Sequence, residues 1–355
     1  MRAAPLPLAP RPHADEALSS WVRRIAARYD LGSDNLVRHV LGQRSLALGR
    51  VERLDSRADP ELEGALARAA RIDVARIQSL RIVKDDDVAW CWHRIRPAWC
   101  PECIRGDLAH QGEVHERAIW RLGCCVLCPD HRIPLEDTCR RCMAEARCHF
   151  HWADGLLRLA CDACGRLVDP TAHRARASLE DEGAGAFGVR ITPPLTRLVA
   201  DLQGDVQGAL AGSTPRGSWG LAGSAKSLVA AVGDLALCII VVTRIKFEPR
   251  IELPELKVGQ GFSPFYEPVT PAALPQYAAY GVLAVVAGFL ESLAAESGPR
   301  RQRGPDPATA LKTASSFVAR LPADGRRLLQ SWAATAERPA GRALRAVIAA
   351  VDSVG

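Results

Sequence analysis

Apolar residues recur at helical spacing near the start of the chain. Leu18, Trp21, Val22, Ile25 and Tyr29 share one face of a segment introduced by Asp15, a candidate helix cap. Gly32 interrupts that pattern and Ser33 can cap a short helix over 34–41, so residues 15–42 read as helix, glycine-containing turn, helix. After Pro60 the pattern repeats, with a helix over 61–70, a turn at Ile72-Asp73 and a continuation over 74–80. Two helical hairpins predict a compact N-terminal helical domain over 1–88 of helix-turn-helix type, which serves either as a packing unit or as a DNA-binding element.

The helical period fades over 89–175 and returns beyond it. Residues 176–225 are rich in Gly and small side chains and read as a connector with helical pieces such as 195–202. Residues 226–355 read as a C-terminal, mainly helical domain: Leu228 to Thr243 suits a buried helix or strand, and 307–354 suits helices punctuated by Pro322-Ala-Asp-Gly325. Prolines at 249, 254, 264, 268 and 271 forbid a regular helix between Lys246 and Pro271. The expected fold class is mainly α with a small irregular zinc-ribbon or zinc-finger module.

That module is carried by four Cys/His pairs with identical two-residue gaps: Cys100/Cys103, Cys128/His131, Cys139/Cys142 and Cys161/Cys164. A pair at this spacing turns a tight knuckle that sets both donor atoms about 2.3 Å from one Zn²⁺, and two knuckles complete a tetrahedron. Eight ligands imply two structural Zn²⁺. The economical grouping is sequential, 100/103/128/131 and 139/142/161/164; an interleaved grouping satisfies the spacing as well. Each site has four protein ligands, so activation of a bound water is not expected. Deaminase chemistry lacks its His-x-Glu element, and a thioredoxin-like reading of Cys100-Pro-Glu-Cys103 lacks a βαβ context.

Cys91, Cys124, Cys125, Cys148 and Cys238 remain, read as buried free thiols, while His149 and His151 are alternative ligands. Trp90, Trp92, Trp99, Trp120 and Trp152 read as apolar filling around the metals, and Asp85-Asp86-Asp87 as a solvated run.

Charge changes the picture little. The net charge is +6, and only five of 46 cations are lysine. Residues 91–175 hold 12 arginines against 11 acids, a balance that favours protein contact over phosphate binding. The most basic stretch runs from 300 to 345, with ten cations and three acids. Arg300, Arg301, Arg303, Arg326, Arg327, Arg342 and Arg345 are its candidate nucleic-acid contacts. The N-terminus has no apolar run of signal-peptide length, and the apolar stretches 228–243 and 281–290 read as too short or too interrupted to cross a bilayer, so a cytoplasmic protein without a membrane segment is expected.

In this order the chain carries Pro10-Arg-Pro12, Asp15-Glu-Ala-Leu-Ser-Ser-Trp21-Val-Arg-Arg-Ile-Ala-Ala, Trp99-Cys-Pro-Glu-Cys-Ile104, Arg117-Ala-Ile-Trp120, Cys128-Pro-Asp-His131 with Leu135, and Cys139-Arg-Arg-Cys142. Over roughly residues 5–165 it resembles the TniQ proteins of bacterial transposons, which include TnsD-type target selectors. The resemblance implies a non-catalytic target-site selection adaptor. Its partners would be a target-recognition element, either DNA or an RNA-guided CRISPR effector, and an AAA+ ATPase regulator of transposition, with self-association into a dimer. The N-terminal helices and the zinc module are expected to form the protein-contact surface. A zinc-dependent, sequence-specific transcription regulator is the alternative function; no phosphate-cradling loop or nucleophile elbow points to an enzyme.

Overall fold

The computed structural model describes residues 5–42, 51–82, 94, 97–142, 144, 148–168, 192–214, 219, 225–244, 274–297, 307–321, 323–335 and 339–352. The chain forms two compact units, 1–173 and 174–355. Among the described residues it is mostly helical, with one two-stranded sheet.

Unit 1 begins with α1 (Leu18–Arg28) and α2 (Ser33–Leu41), followed by a 3₁₀ turn (Val51–Asp55), α3 (Pro60–Ala70) and α4 (Val74–Gln78). Leu18, Trp21, Val22 and Ile25 of α1 are buried with Leu36 and Val40 of α2, Leu62 and Leu66 of α3 and Ile77 of α4 in one apolar cluster. Local chemistry sets the later helix starts: Asp59 accepts from the Leu62 N–H at 3.0 Å with Pro60 in the first turn, and Asp73 accepts from the Ala75 N–H at 2.9 Å.

Three boundary details differ from the sequence reading. Asp15 does not cap α1: Ala17 occupies that position without a side-chain bond, and Asp15 faces His115 and Arg117 instead. Gly32 does not break α1 either. Asp30 takes the left-handed conformation (φ 53°), Leu31 N–H bonds back to the Ala26 carbonyl, and Gly32, at φ −67°, caps α2 in place of Ser33, the first helical residue. A short polar side chain tolerates the left-handed region well enough that glycine is not needed there.

The cysteine-rich part of unit 1 adds α5 (Pro101–His110), a second 3₁₀ turn (Ala118–Arg121) and the hairpin β1 (Cys148–Ala153) and β2 (Leu156–Cys161). The hairpin turns through Asp154 and Gly155, both at positive φ, which fixes the antiparallel register from Ala153↔Leu156 to Cys148↔Cys161. Val114 N–H donates to the Leu157 carbonyl at 2.9 Å, so the segment before the second 3₁₀ turn lies along β2.

Unit 2 is a helical bundle of α6 (Pro193–Leu210), α7 (Ala225–Arg244), α8 (Gln276–Ser297), α9 (Pro307–Arg320), α10 (Ala323–Thr335) and α11 (Pro339–Asp352). Helix α6 is longer than the helical pieces seen in sequence and buries Leu195, Leu198, Val199, Leu202 and Val206. The helix-or-strand alternative at 228–243 resolves to helix α7. The basic tail segment makes three helices, Pro339 opening the last because proline is accommodated in a first turn.

Helix α8 is apolar on nearly every side and sits at the centre of the bundle. At Gly288 it meets α9 so closely that an added Cβ would lie 2.7 Å from the Ala310 carbonyl oxygen. By length and composition α7 and α8 could each cross a bilayer, so the expectation that their apolar stretches are too short fails: the helices extend past those stretches at both ends. Within these helices, 56% of the apolar window of α7 and 78% of that of α8 are buried, as for core helices of a bundle. The segment 246–271 and Asp85–Asp87 lie outside the described residues.

Candidate metal centres and the buried ionic seam

The first knuckle lies where an extended segment enters a helix. Trp99 exchanges backbone hydrogen bonds with Glu136 at 2.8 Å in both directions, Cys100 stands at the N-cap of α5, and Pro101 opens the helix so that Cys103 falls in its first turn. Its partner knuckle is a tight loop in which Cys128 N–H donates to the Ile133 carbonyl at 2.8 Å and Arg132 adopts φ 53°. These two turns bring Cys103 Sγ to 3.6 Å from Cys128 Sγ, and His131 Nδ1 to 3.5, 3.4 and 3.5 Å from the sulfurs of Cys100, Cys103 and Cys128. A tetrahedron with bonds of about 2.3 Å has edges of about 3.8 Å, so these four donors stand at the separations of a zinc coordination shell.

The second centre is built the same way. Cys139 N–H donates to the Ala144 carbonyl at 3.0 Å in one knuckle; in the other, at the end of β2, Cys161 N–H donates to Arg166 and Gly165 turns at φ 66°. Cys139 Sγ lies 3.8 Å from Cys164 Sγ, and Cys142 Sγ 3.8 Å from Cys161 Sγ. In each centre the four ligand atoms lie within 4.8 Å of one another. The two clusters fit two structural zinc ions, and the grouping is sequential, not interleaved. The hydrogen bonds from Cys100 and Cys103 hold the Cys128 thiol low, while the bonds of Cys103 to Cys100 and Cys128 push the Cys103 thiol up. A zinc-bound cysteine is a thiolate, so metal binding at these residues is coupled to proton release.

His149 is not a ligand: its Nδ1 lies 2.6 Å from Asp162 Oδ1, and His151 stands edge-on to it. Cys124, Cys125, Cys148 and Cys238 are buried and form no disulfide, and burial pushes the thiols of Cys124, Cys148 and Cys238 up to about 12. Trp99 and Trp120 are buried, whereas Trp152 is 38% exposed; Cys91, Trp90 and Trp92 lie outside the described residues.

A second constellation, not read from the sequence, joins the metal module to the helices. Ala17 N–H donates to the Glu116 carbonyl at 2.9 Å and Ala118 N–H to the Asp15 carbonyl at 2.7 Å, a two-bond bridge between the start of α1 and the Arg117-Ala-Ile-Trp120 segment. Around it, buried charges interlock. Glu16 takes Arg24 Nε at 2.8 Å and the Ser20 hydroxyl at 2.8 Å. Glu116 pairs with Arg23 and with Arg121. Ser19 donates from both N–H and hydroxyl to Asp55 at 2.7 and 2.6 Å. Arg117 forks onto Asp107 of α5 at 2.5 and 2.6 Å. Burial pushes the Glu16 carboxyl up, and Arg24 opposes that shift. The available sequence signal was Ser19, Ser20 and Arg24 among the apolar residues of α1, each too polar to be buried without a partner.

The basic segment is less open than its composition suggests. Arg326 donates to the Leu321 and Ala319 carbonyls at 3.2 and 3.3 Å, closing the end of α9; Arg327 pairs with Asp324 at 3.0 Å; and Arg345 donates to the Ala333 carbonyl. Arg342 is exposed on α11, and Arg300, Arg301 and Arg303 lie outside the described residues.

Residues 7–135 match the family model for TniQ. That match spans the helices, the bridge and the whole first metal centre. No curated protein matches the chain.

Proposed function

We propose, from a chain whose residues 7–135 are a TniQ domain, that this protein is a non-catalytic target-selection adaptor in DNA transposition. It connects a target-recognition element, either DNA or an RNA-guided CRISPR effector, to the AAA+ ATPase that regulates insertion. The domain by itself supports a role in transposition-associated target selection; the linkage to an ATPase is the finer step. What carries that step is the seam at Glu16, Arg24, Glu116 and Arg121, where helices and metal module are fastened by buried charge. Two closed four-ligand centres and a desolvated ionic seam hold a surface rigid, and a preorganised surface saves the ordering cost that weakens association.

In this reading the metals act on shape alone. Zinc at Cys100, Cys103, Cys128 and His131 would fix the first turn of α5, and Asp107 on that helix passes the constraint through Arg117 and Asp15 to the N-terminus of α1. Unit 2 supplies target contact, with Arg327 and Arg342 as phosphate partners.

The test is recruitment with purified components. Zinc-loaded full-length protein should retain the ATPase on target DNA or on effector-bound DNA, and removal of zinc by chelation should abolish retention. An ATPase that reaches the target equally well without this protein would end the adaptor reading.

A further inference from the structure

Cys148 opens β1 directly opposite Cys161 of β2, a donor of the second metal centre. The pairing at that point is of the close kind. Leu157 N–H donates to the Gly112 carbonyl at 3.0 Å, the Leu159 carbonyl accepts from Val168 at 2.7 Å, and Cys161 N–H donates to the Arg166 carbonyl at 2.9 Å. These alternate residues of β2 turn their backbone groups away from β1. Cys148 and Cys161 therefore form a non-hydrogen-bonded pair, with side chains on one face and Cα atoms about 4.5 Å apart. A disulfide spans Cα separations of about 4.4–6.8 Å. Cys148 is buried and is not one of the four donors. Burial first, then the Cys161 charge, pushes its thiol up, which places it within electrostatic reach of that ligand.

The position of Cys148 is held by groups other than the metal donors. Arg23 Nη1 donates to the Cys148 carbonyl at 3.1 Å, and the same guanidinium lies 5.5 Å from the Phe150 ring centroid and pairs with Glu116 of the ionic seam. The two centres also differ in how open their sulfurs are. Cys100, Cys103 and Cys128 are 0, 5 and 1% exposed, and the exposed donor of that centre is His131. In the second centre Cys142 is exposed, with its Sγ 3.8 Å from Cys161 Sγ, and Cys164 is half-buried. A small oxidant from solvent thus meets a sulfur at the second centre and an imidazole at the first.

We propose that the second centre is an oxidation site for peroxides, in which Cys142 is the point of attack and Cys148 the resolving thiol, and that its product is a Cys148–Cys161 cross-strand disulfide. The peroxide converts the Cys142 thiolate to a sulfenic acid and departs as hydroxide. The Cys161 sulfur attacks the Cys142 sulfur and expels its hydroxyl as a second hydroxide, which ends its service as a ligand. Cys148 gives up its proton and attacks the Cys161 sulfur, and Cys142 leaves as the thiolate. In sum, Cys148 and Cys161 lose two electrons, and one peroxide gains them and, with the Cys148 proton and one from solvent, becomes two waters. The metal is left with three donors and is released, while the hairpin is closed covalently in the register it already has. This goes beyond the adaptor reading and does not rest on it: ATPase recruitment tests that reading, and metal release with disulfide position tests this one.

The full chain carrying two zinc ions is treated with hydrogen peroxide, and released zinc is read with a chromogenic chelator. Remaining thiols are blocked with N-ethylmaleimide, and the disulfide is mapped by tandem mass spectrometry between tryptic peptides 148–158 and 159–166. One zinc and two thiols should be lost per chain, with the bond at Cys161 and not Cys164. Cys139→Ser, left with the zinc of the first centre, should keep it under the same treatment. Cys148→Ala should stop at a Cys142–Cys161 bond, whose exposed sulfur lets glutathione restore zinc binding faster than in wild type. A map without the Cys148–Cys161 bond, zinc lost from Cys139→Ser as fast as from wild type, or recovery in Cys148→Ala no faster than in wild type would overturn the proposal. Should Cys148→Ala fail to load two zinc ions, the wild-type map and Cys139→Ser decide alone.

Discussion

Arg24 and Glu16 are joined from Nε to Oε1 at 2.8 Å with both side chains withdrawn from water, eight residues apart in sequence and on either side of the start of α1. Burying two charges is costly, and leaving one of them alone is costlier still. Arg24→Met should therefore destabilise unit 1 by about 3–5 kcal/mol, and adding Glu16→Gln should recover part of that loss because no uncompensated charge remains. Urea unfolding followed by near-ultraviolet circular dichroism measures both. A loss in the double variant equal to the sum of the Arg24→Met and Glu16→Gln losses would show that the pair is not coupled.

Two zinc ions per chain are expected in freshly purified protein, and elemental analysis counts them directly. Because Cys139 and Cys161 belong to one cluster, Cys139→Ser and Cys161→Ser should each remove the same single zinc, and the double variant should lose no more than either. Removal of both metals by strong chelation should melt the region 99–165 while the helical signal of unit 2 persists.

Acid stability should carry the mark of His13. Its ring stacks on His115 at 4.0 Å, and burial, with the His115 charge next, lowers its pKa from 6.5 to about 4. The unfolded chain thus binds a proton that the folded one refuses between those values, so this group's contribution is present above pH 6.5 and lost as pH falls toward 4. Asp15, held down to about 2 mainly by its hydrogen bond from His115, adds a loss below pH 4. The difference in unfolding midpoint between wild type and His13→Gln, taken at each pH to cancel metal loss, should change across pH 6.5 to 4 and stay flat from 7 to 9.

Gly288→Ala should lower the melting temperature of unit 2, with an overpacking cost of about 1–3 kcal/mol, because the new methyl would meet backbone, which cannot rotate away as a side chain can. Ala314→Gly on α9, which opens space opposite Gly288, should relieve part of it. Zinc content should be unaffected.

If unit 2 touches phosphate, reversing Arg327 and Arg342 to glutamate should flatten the salt dependence of DNA binding, by a slope of roughly one per lost contact. Reversal of Arg326 tests something else: it ties up the carbonyls that end α9, so that change should cost stability first.

The sequence by itself determined whatever is set by local spacing. The two-residue gaps of the Cys/His pairs fixed knuckles, ligand number and metal type, because knuckle geometry depends on a few consecutive dihedrals. Apolar spacing placed α1 to α4 within a residue or two, and the ordered motifs up to Leu135 carried the resemblance that the TniQ family model matches over residues 7–135. Tertiary structure decided what depends on residues distant in the chain. Which knuckles share a metal was open until Cys103 and Cys128, and likewise Cys139 and Cys164, were brought side by side. Asp15 and Ser33 had the right chemistry for caps, yet a distant His115 and the neighbouring Gly32 settled their roles. The seam was hidden for the same reason: a glutamate at 116 carries no local sign that it will be buried between Arg23 and Arg121, since the free energy that keeps a charge out of water comes wholly from partners supplied by the fold.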